Sequence, residues 1–196
     1  TGSAVFHTLG TMRMISLNNN AGGLPTRNFQ EGVFEGFEKL TYEAQSGTYM
    51  VGRDTCFGCP IRCKWVVEVK EGEYQVDPKY GGPEYETVCA FGAGCGVDDL
   101  RAVNLAGQLC NALGLHSIGA GVTIAFAMEC FERGLIGIEE TGGLELRFGN
   151  AQAMIEMIGR IARREGFGSV LADGTKRAAA VIGKGSEAYA VQQKGQ

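Results

Sequence analysis

The stretch from Asp98 to Gly114 reads DDLRAVNLAGQLCNALG, and it decides the fold class of this chain. Its leucines and its valine recur at the spacing that places them on one broad face of a helix. Asp98 is a good residue to cap the amino end of this helix, because its side chain can accept hydrogen bonds from the first free amides. Gly114 can adopt the left-handed backbone that ends many helices. The stretch therefore predicts a helix from about Asp98 to Leu113.

The sequence that follows predicts further helices. A second helix runs from roughly Gly119 to Arg133, and the short joint at Gly114 should pack it against the first. Asn150 is placed to cap a third helix, whose carboxyl end carries arginines that suit the helix dipole. A final helix is predicted from about Thr175 to Ile182.

The amino-terminal half is less regular. A helix is predicted from roughly Glu31 to Gln45, because apolar residues recur there at helical spacing. Residues 64–70 are rich in valine, and a turn at 71–73 leads to residues 74–76, which predicts one small hairpin. The whole pattern indicates an all-α, multihelical domain with a minor β-hairpin next to a cysteine-rich loop.

The composition limits the classes of function. The 196 residues carry a net charge of −4, which argues against binding to nucleic acid or to a membrane surface. No stretch is apolar for long enough to cross a bilayer. The 31 glycines are more than twice the usual share of about 7%, which indicates tight turns or close approaches to a ligand. Seven cysteines, an odd number in a chain of this size, favour a reducing cytoplasm over a disulfide scaffold.

Three of these cysteines lie within eight residues and form the most informative motif. Cys56, Cys59 and Cys63 have C-x2-C-x3-C spacing, which is typical of a loop that supplies several thiolates to an iron–sulfur cluster. Such clusters usually need four ligands, so the fourth must come from elsewhere. A structural zinc site is an alternative, although no second metal-binding knuckle is present, and thiols brought together by chance are another.

Six segments, taken in order along the chain, resemble the tungsten-containing aldehyde ferredoxin oxidoreductase family. Each segment alone is a weak signal, but together with the cysteine loop they are specific and cover nearly the whole chain. They are Gly10-Thr11, Gly23 to Phe29, Gly82 to Thr87, Gly92 to Leu100, Asn111 to His116 and Arg164 to Gly168.

The resemblance implies that residues 1–196 form a single helical domain, the middle domain of such an enzyme. A β-rich pterin-binding domain would precede it and a second helical domain would follow it. The whole enzyme would oxidise a small aldehyde to a carboxylic acid at tungsten, or molybdenum, held by two pterins. A [4Fe–4S] cluster would pass the electrons to ferredoxin. The segment alone, which need not hold either cofactor, should be inactive.

Two alternatives to this function stay open. One is a related tungsten enzyme that reduces an aromatic acyl-CoA. The other is a stand-alone helical module that binds an iron–sulfur cluster or zinc. The sequence does not name the substrate.

Glu84 and Glu86 flank Tyr85 after a glycine- and proline-containing bend. In a helix these carboxylates lie about 200° apart, so at most one points into a given site. The resemblance selects Glu86 as the carboxylate near the metal, where it could act as a general base. The ordinary role of a first-turn glutamate is to complement the helix dipole.

The turn from Asn111 through Gly114 and Leu115 to His116 corresponds to a pterin-binding motif of the family. The family has Asp at the first position and Asp or Cys at the last, so this sequence departs from the motif at both ends. Asn111 could accept a hydrogen bond through its amide oxygen, and neutral His116 through one ring nitrogen.

The remaining cysteines are expected to be small buried side chains rather than ligands. On spacing alone any of them could be the fourth cluster ligand, whereas the resemblance implies that this ligand comes from the next domain. They are Cys89, Cys95, Cys110 and Cys130. His7 has no partner in the sequence, and no role is assigned to it.

Overall fold

The computed structural model describes residues 2–195, and this part of the chain is mainly helical, as predicted. The helices of the amino-terminal half are α1 (Gly2–Leu9), α2 (Arg13–Asn20), α3 (Tyr42–Thr48) and α4 (Tyr85–Phe91). The helices of the carboxyl-terminal half are α5 (Leu100–Leu113), α6 (Ser117–Glu132), α7 (Ala151–Arg163), α8 (Phe167–Leu171) and α9 (Thr175–Ile182). Within residues 2–195 there is no helix with the length and apolar character needed to cross a membrane.

Helix α6 is the centre of the main core, because it is buried on nearly every side. Its residues from Ala120 to Cys130 are buried apart from Val122. It contacts α4, α5, α7 and α9. The predicted packing of α5 against α6 is present, although α6 makes its largest contact with α4 and α5 makes its largest with α7.

The predicted caps identify the helix ends to within a few residues. Asp99, rather than Asp98, caps α5, because Asp99 has the extended backbone and its carboxylate accepts from the Arg101 amide at 3.0 Å. Gly114 ends α5 in the left-handed conformation, as predicted. Asn150 accepts from the Ala153 amide at 3.1 Å and caps α7. Helix α9 has the predicted bounds.

The predicted helix from Glu31 to Gln45 is wrong. Thr41 has an extended backbone (φ −77°, ψ 167°) and divides the region into a 3₁₀ turn at Phe37–Leu40 and helix α3. The stretch before the turn passes against the segment that follows α2. There Gly32 lies so close to the Gly22 carbonyl that a side chain would clash. The Gly32 carbonyl accepts from the Leu24 amide at 2.9 Å, and Thr26 and Glu31 form an isolated antiparallel bridge, so this backbone pairs with a neighbouring segment instead of forming helical hydrogen bonds.

The predicted hairpin exists, but its strand partner differs from the prediction. Strand β2 (Lys64–Val67) pairs antiparallel with β1 (Met50–Asp54), with Arg53 opposite Trp65 and Asp54 opposite Lys64. The predicted partner at 74–76 contributes only an isolated bridge between Val69 and Val76. The cysteine loop is therefore the connection between the two strands rather than a neighbour of the hairpin.

A second, smaller core lies under β2. Trp65, Val67, Val69 and Val76 are buried together, and Tyr42 packs on Trp65 with ring centroids 5.1 Å apart. Gly10, which has a positive φ of 61°, lies against the Trp65 indole where a side chain would clash. This contact holds the connection between α1 and α2 against the hairpin.

Candidate functional site

The cysteine loop spans residues 55–63 and is organised by its own backbone. The Cys59 amide donates to the Cys56 carbonyl at 3.0 Å. The Thr55 hydroxyl donates to the Cys59 carbonyl at 2.7 Å and to the Cys56 carbonyl at 3.1 Å. Gly58 takes a positive φ of 68°, which suits a tight wrap. All three thiols reach solvent, because Cys56 is exposed and Cys59 and Cys63 are half-buried.

Helix α1 anchors the loop from outside. The His7 Nδ1 atom is 2.6 Å from the Ile61 carbonyl, and since a carbonyl only accepts, the ring donates from Nδ1 there. Arg53 donates to the carbonyls of His7 and Thr8 at the end of α1, and its guanidinium stacks on Trp65 at 4.3 Å. His7, which was assigned no role from the sequence, thus supports the loop. Its partner is 54 residues away, and no local pattern could have indicated it.

The chemistry of the three loop thiols fits a metal or cluster held by thiolates, but the thiols are not drawn together. Among residues 2–195 no group of three or more His, Cys, Asp or Glu side chains is placed to hold a metal ion. Burial raises the pKa of the Cys63 thiol, and the charges of Glu84 and of the other two thiolates add to the rise. Closely spaced thiolates repel one another, so a bound cation would be needed to draw them together.

The other four cysteines are buried, as predicted. Burial raises the pKa of Cys89 to about 11 and the pKa values of Cys110 and Cys130 to about 12, and it also raises the pKa of Cys95. All four belong to the main helical core. They are neutral, apolar-like side chains there and do not join the loop thiols.

The start of α4 is capped by a residue from a distant segment. Glu84 occupies the cap position, but its side chain makes no capping bond. Instead the Thr11 hydroxyl accepts from the Tyr85 amide at 2.9 Å and donates to the Glu84 carboxylate. Sequence reasoning missed this role, although Gly10-Thr11 stood among the motifs of the resemblance.

Glu84 faces the hairpin side of α4. It lines a cavity of about 260 Å³ together with Lys64 and Asn111. Burial raises the pKa of Glu84, while the hydrogen bond from Thr11 opposes the rise. The structure therefore brings Glu84 and Asn111 together beside the last residue of the cysteine loop.

Glu86 is exposed and lines a different pocket, of about 180 Å³, between α4 and α6. The helical offset of the two glutamates thus separates them as predicted, with one on each side of α4. Apart from Glu86 this pocket is mainly apolar, and its other lining residues are Pro25, Asn28, Phe29, Tyr85, Cys89, Ala90, Gly94, Ile118, Val122 and Ala125.

A buried polar network stands behind this pocket, and sequence reasoning did not find it. The Asn28 amide donates to the Glu129 carboxylate at 2.6 Å and to the Tyr189 carbonyl at 2.9 Å. Glu129 is 3% exposed and also accepts from Arg133 at 2.7 Å. The partners are 101 and 161 residues from Asn28, so only the folded chain brings them together.

The turn from Asn111 to His116 lies at the surface. Asn111 donates from its amide nitrogen to the Tyr80 carbonyl at 3.2 Å, which leaves its oxygen free to accept. Gly114 is exposed in the left-handed region, and Leu115 is half-buried beside His116 in a third cavity, of about 310 Å³.

His116 caps α6, because its Nδ1 accepts from the Gly119 amide at 3.2 Å. A neutral ring with Nδ1 as acceptor carries its proton on Nε2. In this conformation the free ring nitrogen of His116 is thus a donor rather than the predicted acceptor. Asn111 and His116, although both belong to one turn, line different cavities.

The profile of the family described as "Aldehyde ferredoxin oxidoreductase, domains 2 & 3" matches residues 1–196. A tungsten-containing aldehyde ferredoxin oxidoreductase from Pyrococcus abyssi is 40% identical over 176 residues, which are 87% of this chain and 28% of the relative. The enzyme of the same name from Pyrococcus furiosus is 39% identical over 89% of this chain and 28% of its own length. This chain therefore spans less than a third of the relatives that it matches.

Two more distant relatives extend the comparison. The aliphatic sulfonate oxidoreductase, WOR-like subunit, of Pyrococcus furiosus is 30% identical over 92% of this chain and 29% of its own length. A chain of the active-site complex BamBC of benzoyl coenzyme A reductase superposes with a TM-score of 0.67 at 21% identity. This match covers 91% of the chain described here and 26% of the reductase chain. At that identity the likeness shows a shared fold alone.

Proposed function

The chain belongs to the aldehyde ferredoxin oxidoreductase family, and on this premise we propose that it is the cluster-binding part of a tungsten–pterin enzyme. The whole enzyme would oxidise aldehydes to carboxylic acids and pass the electrons to ferredoxin. The observation that carries the proposal is the placement of the C-x2-C-x3-C loop. It connects the two strands of the hairpin, and Cys63 lies within electrostatic reach of Glu84 at the start of α4.

In this proposal Cys56, Cys59 and Cys63 hold three irons of a [4Fe–4S] cluster. Their thiols are half-buried or exposed and lie on one loop with a glycine turn, so they can turn toward a common centre. A fourth thiolate would come from a part of the enzyme outside residues 1–196, because the other four cysteines of this chain are in its core. When bound, the cluster and the tungsten–pterin centre carry the two electrons that leave the aldehyde.

Glu86 is the proposed general base. Oxidation of an aldehyde by water yields a carboxylic acid, two electrons and two protons, so a group must take a proton from the attacking water. An exposed carboxylate at the edge of an apolar pocket can do this, because a carboxylate can accept a proton and this one lies beside a place for the substrate.

The turn from Asn111 to His116 is the proposed contact with a pterin. The free amide oxygen of Asn111 can accept from a pterin N–H. The Nε2–H of His116 can donate, and Gly114 and Leu115 keep the turn open and exposed between them. Neither end brings the fixed negative charge of an aspartate, so recognition here would rest on neutral hydrogen bonds.

The remaining domains of the enzyme are part of this proposal. This chain would be the middle helical domain, with a pterin-binding domain before it and a second helical domain after it. It would lack activity alone, because the fourth thiolate and the other pterin-binding domain lie outside it. We place the enzyme in the cytoplasm, since solvent-exposed cluster thiols persist in a reducing compartment.

The test is metal analysis of the full-length enzyme purified without oxygen. Cys59→Ser should lose most of the cluster iron and the reduced-state EPR signal, together with aldehyde oxidation coupled to ferredoxin. Cys110→Ser is the matched control, because it changes a core thiol in the same way and should leave the iron content unchanged. Normal iron content and EPR in Cys59→Ser would rule out the cluster assignment.

A further inference from the structure

We propose that the pocket between α4 and α6 receives the hydrocarbon group of the substrate and sets the largest size that this group can have. The inference rests on the proposed function, and it adds the substrate class and the residues that select it. That class is uncharged aldehydes whose apolar group is no larger than about a benzene ring.

The size of the pocket supports this class. Its volume is about 180 Å³. An engineered cavity of about 150 Å³ with apolar walls is known to stay dry and to bind benzene. The pocket of this chain therefore has room for one phenyl ring or a branched aliphatic group of similar volume.

One face of α6 forms a wall of the pocket, and the side chains along this wall become steadily more buried. Ile118, Val122 and Ala125 follow the i, i+4, i+7 spacing that aligns side chains along a helix. Ile118 is 39% exposed, Val122 is half-buried and Ala125 is 2% exposed. This gradient places Ile118 at the mouth, Val122 midway and Ala125 at the base. Val122 is therefore the residue whose size controls how deeply an apolar group can enter.

The charge of the pocket favours an uncharged substrate. Among the described residues that line it, Glu86 is the one with a carboxylate, and none is a lysine, an arginine or a histidine. A carboxylate on the substrate would be repelled by the carboxylate of Glu86 and would lose hydration in an apolar site. The pocket therefore disfavours aldehydes that carry a carboxyl group.

The opposite wall is held in place before any ligand arrives. Arg27, Asn28 and Phe29 have consecutive positive φ values of 45°, 54° and 65°, a conformation that non-glycine residues rarely adopt. The amides of Arg27 and Asn28 donate to the carbonyls of Ala93 and Gly94 at 2.9 and 3.0 Å. The Glu129 carboxylate fixes the Asn28 side chain. A wall that is ordered in advance discriminates by size, because it does not move to admit a larger group.

The first experiment compares two aldehydes in the full-length, cofactor-loaded enzyme. Val122→Phe should lower kcat/KM for benzaldehyde by roughly 10–200-fold, the usual range for a steric change in an apolar pocket. Acetaldehyde, which leaves most of the pocket empty, should lose less than about threefold because its single methyl group needs little of this wall. Val181→Phe is the matched control, because Val181 is 68% exposed on α9, and it should change neither value. Equal loss for both aldehydes in Val122→Phe, or no loss for benzaldehyde, would overturn the proposal.

A second measurement does not depend on turnover. Toluene binding to the cofactor-free full-length protein, followed by calorimetry, should be detectable in the unsubstituted protein and in Val181→Phe and should be lost in Val122→Phe. If Val122→Phe does not fold, Val122→Ala replaces it and should improve kcat/KM for a naphthaldehyde relative to benzaldehyde. Absence of toluene binding in the unsubstituted protein would overturn the pocket assignment. An enzyme that binds toluene in a Val122-dependent way but oxidises no aldehyde would instead refute the proposed function alone.

Discussion

The two sides of α4 are built differently, although the carboxylates that mark them are only two residues apart. On the hairpin side Glu84 is half-buried in a polar cavity with Lys64 and Asn111 and is hydrogen-bonded by Thr11. On the α6 side Glu86 is exposed at a pocket whose walls are mainly apolar. The Glu84 carboxylate is thus fixed by a hydrogen bond from Thr11, whereas the exposed Glu86 carboxylate can be reached by a ligand.

The comparison shows that the more buried of the two carboxylates need not be the one that acts on a substrate. Burial raises the pKa of Glu84, and a perturbed carboxylate is often taken as a mark of an active site. In this chain the perturbed carboxylate is engaged with Thr11 and with the start of a helix. Glu86, on the other side of the helix, lies at an open pocket of about 180 Å³. Geometry therefore favours Glu86 as the catalytic group, and three predictions test this division.

The largest expected effect is on turnover. Glu86→Gln in the full-length enzyme keeps the shape of the side chain but removes its ability to take a proton, so kcat should fall by roughly 10²–10⁴-fold. Glu84→Gln should have a much smaller effect, because this carboxylate lies on the other side of α4. Iron and pterin content should stay unchanged in Glu86→Gln. If Glu84→Gln lowered kcat more than Glu86→Gln does, the general base would be Glu84, on the hairpin side of α4.

The second-largest expected effect is on the stability of the chain and concerns the contact between α4 and α6. A side chain at Gly121 would approach the Ala90 Cβ at 2.7 Å and its backbone carbonyl carbon at 3.1 Å, so Gly121→Ala forces α4 and α6 apart. We expect a loss of roughly 1–3 kcal/mol in the free energy of unfolding, measured with urea on the 196-residue chain.

Gly47→Ala is the control for this substitution. Gly47 lies in α3 with open space around it, so alanine should be neutral or stabilise the chain by up to about 1 kcal/mol. Equal effects at both glycines would show that the contact between α4 and α6 is loose, and the rigid pocket between them would lose its support.

Local patterns in the sequence predicted the long helices of the carboxyl-terminal half well, because caps and periodicity are local properties, whereas the helix predicted from Glu31 to Gln45 is wrong. Asn150 and Gly114 act as the sequence indicates. Asp98 and Asp99 are both good capping residues, and only the backbone conformation decides between them. The type and spacing of Cys56, Cys59 and Cys63 single them out in the sequence, and their assignment as cluster ligands stays a prediction. The resemblance to the aldehyde ferredoxin oxidoreductase family is confirmed by the match over the whole chain.

The surroundings of the candidate site could not be predicted in the same way. The pairing of β1 with β2, the bond from Asn28 to Glu129 and the cap that Thr11 provides all join distant segments. Such contacts leave no periodic pattern in either partner. The strand at 64–67 was recognised from its own valine-rich sequence, which is a local feature, while its partner strand at 50–54 was not recognised. The roles of Glu86 and of the turn at 111–116 stay predictions until the substitutions are measured.

The smallest expected effect tests the polar side. Thr11→Val keeps the shape of the side chain but removes the hydroxyl that accepts from the Tyr85 amide and donates to Glu84. The amide and the carboxylate are both partly buried, so each loses a partner that water replaces poorly. We expect about 1–2 kcal/mol of lost stability in urea unfolding.

Thr8→Val is the control, because the exposed Thr8 hydroxyl only donates to the Ala4 carbonyl of its own helix, and it should change stability by less than about 0.5 kcal/mol. If the two substitutions had the same small effect, α4 would be held by its apolar side alone, and Glu84 would be as free to act as Glu86.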